Sequence, residues 1–495
     1  MDLRHRLSGR WIQVFLVAFA FIAWRVSVLL ISSKLEIGKE TTFVTGPLKP
    51  DGSIDYPAAL HERWSKGVTP VENAEVLIIR AFGPGAISPE LRGQYFERLG
   101  IDPLPEQGKY IVTQSSLIQQ KLNGADNRSE LKSAMDLEFG RAQRLSWKRV
   151  DYPTVAEWLE TNAAPLELIE SATRLDQFYS PLVTHEGIMQ ADTTFQNLRE
   201  ATRLLATRAM FRLGEDDIDG AWNDLLAIHR LALLVNQHAS SMFQFLLAPS
   251  LESVATNGDA SLMAHALSAD QARKCLADHD QLSTFRTSAE VMDWGQRLES
   301  LDAVLQQMPE TGMDINTMLR RTNQMYDDLV SAMRKSSFAE RKQALAAIDN
   351  EFAQRIATAR KPLRQIANLI VNTRKAISTS VGDVLLSMLI PAYSQAEIAQ
   401  MRAQIRRDLV RIGFAVTAYH AEQGVYPPAL DVLVPKYLSS VPLDQFTEKP
   451  LVYVPREKGF LIYSIGDNGR DDGGLMGGPN KGDDVSLEVP PKTDE

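Results

Sequence analysis

Twenty-two consecutive residues, from Trp11 to Ser32, carry a single charge, Arg25. A bilayer-spanning helix needs about 20 predominantly apolar residues, so this run points to a membrane anchor at 11–32. Arg4, Arg6 and Arg10 precede it, and residues 1–10 read as a basic cytoplasmic tail. An arginine at mid-bilayer costs about 2.5–3.5 kcal/mol on insertion scales. Arg25 lies towards the C-terminal side of the run, where its long stem can lift the charge to the interface. Trp11 and Trp24 suit interfacial positions. No small-x-small cleavage site follows Trp24, so the run is expected to persist as a signal-anchor. The basic flank predicts a single-pass protein of a bacterial inner membrane, with residues 35–495 outside the cytoplasm.

A chain of 495 residues is too long for one core and leads to an expectation of two or three domains. Residues 33–72 are rich in turn formers, as in TGPLKPDGSIDYP, and read as a linker. Residues 73–383 read as an α-helical domain and 384–495 as a separate α+β domain. The net charge of −9 argues against a nucleic-acid partner, which would need a basic face. The lone Cys275 excludes an intrachain disulfide and any cysteine-rich zinc site.

Helical spacing is clearest at NLREATRLLATRAMFRL and AWNDLLAIHRLALLVNQ. Ala201, Leu204, Leu205 and Ala209 share one face of the first. Leu225, Ile228, Ala232 and Val235 step by three and four along the second. The two segments are joined by GEDDIDG, so they should pack antiparallel, and the pair resembles a tetratricopeptide-like hairpin. Further along, Leu345, Ile348, Phe352, Ile356, Ala359, Leu363, Ile366 and Ile370 form a helix seam. Pro362 should kink it.

No catalytic signature is present. The eight histidines form no HExxH, and there is no GxSxG, phosphate loop or dinucleotide fingerprint. Histidines of this kind read as ordinary core or surface residues, and the chain is expected not to be an enzyme. A hydrolase with its site among the helices stays open as a further reading.

The C-terminal region has the strongest pattern. Ile398, Met401, Ile405, Leu409, Ile412, Val416 and Tyr419 fall on one helical face, with Arg402, Arg406, Arg407 and Arg411 mostly off it. Gly424 stops the helix and Pro427-Pro428 forbid its continuation. Leu451–Val454 and Phe460–Ile465, joined by PREKG, read as a hairpin. The predicted fold is one long helix on a small antiparallel sheet.

These residues carry a family resemblance. The long helix, then GVYP, LVPKYL, VPLDQF, KPLVYV, FLIYSIGDNG, DDGG and GDDV in that order, resemble the globular domain of the type II secretion major pseudopilin. The likeness spans about residues 384–488. The whole layout more loosely resembles uncharacterised membrane proteins of planctomycete-type bacteria. The first resemblance implies calcium binding in the acidic loop after the last hairpin strand. By that comparison Asn468 stands where the family has an aspartate, Asp471 or Asp472 at the next acidic position, and Asp484 at the last. Asp467 and Asp483 add carboxylates nearby. The chemistry agrees, because calcium takes six to eight oxygens in a flexible loop and glycines let the backbone curl around it. The N-terminus departs from the family, lacking the glycine–aromatic–glutamate processing pattern. The apolar piece Val384–Ile390 is too short to span. The expected function is therefore that of a membrane-anchored extracytoplasmic scaffold with protein partners, including secretion-system components. A genuine pseudopilin-type subunit is the alternative.

Overall fold

A computed structural model describes residues 34–184, 194–237, 239, 241–307, 313–359, 378–379, 382–383, 390–478 and 482–492. The expected anchor at 11–32, the kink at Pro362 and the apolar piece at 384–389 lie outside these residues. Among the described residues, no helix is long and apolar enough to cross a membrane. The chain is mostly helical, with a small antiparallel sheet near its C-terminus.

The segment expected as a linker folds. Asp55 caps a helix, Tyr56–Trp64, by accepting from the Ala58 amide, and Pro57 pre-sets its first turn. Ile54, Tyr56 and Leu60 are fully buried against Leu298, Leu301 and Leu319. The stretch is rich in turn residues, but most of its large apolar side chains are anchored, while Ile37, Leu48 and Val71 stay exposed. Further short helices, Ala74–Phe82, Gln114–Leu122, Arg128–Ala142, Pro153–Thr161 and Ala163–Ala172, lead to the central bundle.

That bundle begins with α1 (Thr194–Gly214) and α2 (Ile218–Gln237), which pack against each other. The connection tightens to three residues, with Asp216 in the left-handed region at φ 61°. Ala201, Leu204, Leu205 and Ala209 are buried on α1, and Leu225, Ile228, Ala232 and Val235 on α2. Next come α3 (Met242–Met263) and α4 (Ala269–Asp280), the latter opened by a Ser268–Gln271 capping box. The long C-terminal helix α5 (Ile390–Gln423) lies against both α3 and α4.

The sheet is ordered β1 (Val452–Arg456), β2 (Gly459–Ser464), β5 (Val485–Val489), all antiparallel. Pro455 is tolerated because β1 is an edge strand. Ile462 stands opposite Tyr453 on one side and Leu487 on the other. A separate two-stranded piece pairs β3 (Met476–Gly478) with β4 (Gly482–Asp483).

One apolar core runs from Ala74 to Val489 and includes residues of α1 to α5 and of the sheet. On α5, Met401, Ile405, Leu409, Ile412 and Val416 are buried, and so are Ala403, Val410, Phe414 and Ala415. A single predicted face became several because α5 is covered by helices on one side and by the sheet on another. Gly413 permits the closest approach. A Cβ there would come within 2.7 Å of Leu487 and 2.8 Å of the Met263 sulfur.

Candidate metal centre

Side chains alternate along β2. Phe460 and Ile462 join the core under α5, which leaves Leu461 and Tyr463 on the opposite face. The stretch 466–475 folds back over that face, bringing Gly474 against Leu461 and Asp471 against Tyr463. The reversal starts at Gly466, with φ 69° and no room for a side chain. A Cβ would lie 2.5 Å from the Asp483 carbonyl oxygen and 2.8 Å from its carboxylate. Alanine at position 466 is therefore expected to cost about 1–3 kcal/mol through backbone strain and overpacking. Chemical denaturation of the variant would measure this, with a change below about 0.5 kcal/mol counting against it.

Two helices hold the loop in place. Arg402 of α5 pairs with Asp467 at 2.8 Å, and Lys342 donates to the Asp467 carbonyl at 2.7 Å. Asp467 is thus engaged by an arginine and turned towards α5.

Asp472, Asp483 and Asp484 bring carboxylate oxygens within 4.8 Å of one another. β4 ends at Asp483 and β5 begins at Val485, so Asp484 occupies the joint between the two sheets. Backbone amides fix the cluster. Asp484 Oδ2 accepts from the Asp472 amide at 3.1 Å and the Gly474 amide at 2.8 Å. Asp483 Oδ2 accepts from the Asn468 amide at 3.0 Å, and Asp472 Oδ2 from the Asp483 amide at 3.3 Å. Asp483 and Asp484 are only 8% and 3% exposed. Their Oδ1 atoms are buried and have no hydrogen-bond partner among the described residues. Burial raises both carboxyls above the ordinary 3.8, with the charge of Asp467 adding to the effect at Asp483 and those of Asp472 and Asp471 at Asp484.

Of the four residues singled out from the sequence, Asp472 and Asp484 meet in this cluster. Asn468 stands beside it, donating from Nδ2 to Asp472 Oδ2 at 3.3 Å, while its Oδ1 accepts from the Arg470 amide. Asp471 is exposed and turned to the sheet, where its Oδ1 accepts from the Tyr463 hydroxyl and the Gly473 amide. Asp483 takes the third place. The signal for it was the acidic pair Asp483-Asp484 beside Gly482, a glycine with φ 104° whose Cβ would strike the Leu475 carbonyl.

Three carboxylates with two bare, buried oxygens suit a hard, oxygen-seeking cation, and waters would have to complete its shell. The paired Arg402 lowers the negative potential, its guanidinium lying 3.7 Å from Asp483. No protein-family model, curated protein or solved structure matches this chain.

Proposed function

We propose that the chain is a membrane-anchored, extracytoplasmic interaction protein without catalytic activity, whose cluster of Asp472, Asp483 and Asp484 holds calcium. The pair of unpartnered, buried Oδ1 atoms on Asp483 and Asp484, set beside Asp472, carries this reading. Burying a carboxylate oxygen with no donor is costly, and a divalent cation would relieve that cost at both positions together. Asp472, Asp483 and Asp484 would hold the ion. It would neutralise the cluster and stiffen a loop whose backbone amides already point at the same carboxylates.

The arrangement of a long helix on a small sheet, with an acidic loop over its far face, supports the pseudopilin-like reading of residues 384–495. Protein partners at the envelope, secretion components among them, follow from that reading. The ion would act structurally, by holding the end of the sheet in the conformation that a partner meets.

Calorimetric titration of the full chain in detergent tests the calcium site. A dissociation constant of about 10⁻⁴–10⁻³ M is expected, the range of extracellular calcium modules. At about ten times that concentration the fold gains about 1.4 kcal/mol by mass action. Asp472→Asn with Asp484→Asn should weaken binding by about tenfold or more. The pH dependence has a definite sign. Both raised carboxyls bind protons more tightly in the metal-free fold than in the unfolded chain. Metal-free stability therefore falls as pH rises from about 3.8 through their higher folded-state values. Calcium affinity rises over the same window. No heat and no change in unfolding midpoint at about 10 mM calcium would remove the site.

A further inference from the structure

A second cluster lies in the helical bundle, away from the acidic loop. His229 of α2 is fully buried between two carboxylates of α3. Its Nδ1 lies 3.0 Å from both oxygens of Glu252, and its Nε2 lies 2.9 Å from Asp259 Oδ2. Glu252 and Asp259 are two helical turns apart and both fully buried, so one face of α3 presents a carboxylate to each side of the ring. His279 of α4 completes the group. Its ring stands 5.3 Å from that of His229, edge to face at 85°, and it is 4% exposed.

Two atoms of this cluster have no hydrogen-bond partner among the described residues, His279 Nε2 and Asp259 Oδ1. If His229 were simply an imidazolium between two acids, His279 Nε2 would remain buried and unmatched. Single ligating atoms of His229, Glu252 and His279 lie within 4.8 Å of one another. An Nε2–H donated to Asp259 leaves the Nδ1 lone pair of His229 for a metal. A carboxylate on the far nitrogen is also how metal-bound histidines are oriented and made more basic. Burial lowers the titration of His279, and Arg407 and Arg411 add to the effect. A neutral imidazole is the ligating form.

We propose that His229, Glu252 and His279 form a buried site for a first-row divalent cation, zinc by its ligand set, with Asp259 as the positioning residue for His229. Two imidazoles and one carboxylate are a zinc donor set that leaves a fourth position for water. The site ties α2, α3 and α4 together behind α5.

The competitor is a proton. In the absence of metal, Glu252 and Asp259 outweigh the effect of burial and lift His229 to about 10. The proton therefore competes with the metal for His229. The groups facing the ring are Glu252 and Asp259 from α3 and His279 from α4. Arg406 and Arg407 of α5 bring positive charge to Glu252. Zinc affinity should consequently rise with pH, a proton leaving His229 as the ion binds.

The test uses the full chain in detergent, free of any histidine tag, in calcium-containing buffer so that the acidic loop is occupied. Metal content after growth with zinc should be about one equivalent per chain, falling to about a tenth in His279→Gln and in Glu252→Gln. The Asp472→Asn, Asp484→Asn variant should keep its zinc. Protein grown with cobalt instead should show the visible absorption of a four- or five-coordinate nitrogen–oxygen site, which needs no variant to fold. Folded wild-type protein with under about a tenth of an equivalent of any transition metal would overturn the proposal. Zinc that survives loss of His279, or an octahedral cobalt spectrum, would also overturn it.

Discussion

Replacing Asp224 with alanine is expected to cost about 3–5 kcal/mol of folding stability, the penalty for breaking a buried ion pair from one side. Asp224 is fully buried on α2 and holds two arginines of α1. Arg208 approaches it through Nε at 3.1 and 3.0 Å to the two oxygens. Arg212 approaches through Nη1 at 2.8 Å. Without the carboxylate, Arg208 retains, among the described residues, only Glu170, at 3.2 Å, as a charged partner, and Arg212 retains the Gly220 carbonyl and the more distant Asp217. Two cations one turn apart on α1 are then left at the α1–α2 seam without the carboxylate they share. Asn at the same position keeps the shape and an acceptor oxygen but not the charge, so its smaller loss separates geometry from electrostatics. Urea unfolding of wild type, Asp224→Ala and Asp224→Asn would measure all three. A loss under about 1 kcal/mol for the alanine variant would place this network with the weak surface pairs.

A comparable loss, about 3–5 kcal/mol, is expected for Trp222→Ala. Trp222 is 1% exposed. Its ring meets Phe414 of α5 edge to face at 5.2 Å and 78°, and its Nε1 donates to Asp278 of α4 at 2.9 Å. One side chain therefore joins α2, α4 and α5, and its removal opens a cavity at the point where the C-terminal helix meets the bundle. Trp222→Phe keeps most of the volume and loses the hydrogen bond, and should cost about 1–2 kcal/mol. Differential scanning calorimetry would distinguish the outcomes. Loss confined to a late, small transition would mean that α5 unfolds by itself. A shift of the whole endotherm would mean that bundle and C-terminal helix unfold together.

Some of this was legible in the sequence and some was not, for physical reasons. The α1–α2 pair was readable because a helix buried on one side repeats its apolar residues every three or four positions. Ala201 to Ala209 and Leu225 to Val235 do so without interruption. The long helix and the hairpin after it were readable for the same reason. Arg407 was expected off the apolar face of α5. It is buried, with Nη1 donating to the Ser283 carbonyl at 2.7 Å and its guanidinium 5.3 Å above the Phe285 ring. A face assignment cannot anticipate a neighbour that covers the opposite side. Residues 34–72 looked like a linker because Gly, Pro and Asp outnumber the apolar side chains that anchor them.

The acidic loop shows a finer limit. Its composition marked the region, but the choice among its carboxylates is made by backbone amides. Those of Asp472 and Gly474 capture Asp484, while Tyr463 draws Asp471 away. The histidine cluster had no local signature. Glu252 and Asp259 stand 23 and 30 positions from His229, so only the packing of α3 on α2 reveals that they share a ring.

The core that starts at Ala74 is closed by β5, and this bears on how the chain reaches its native state. Met263 and Leu487 converge on Gly413, although 224 positions separate them in the sequence. Closing so long a loop costs little more entropy than closing a short one, since the cost grows only with about (3/2)RT ln n. The search for it is slow. Until residues 485–489 dock, α3 and α5 expose apolar surface that chaperones and proteases recognise. Quality control of this protein is thus expected to turn on its last strand, and a chain stalled or nicked before Val485 would be cleared as an unfinished bundle.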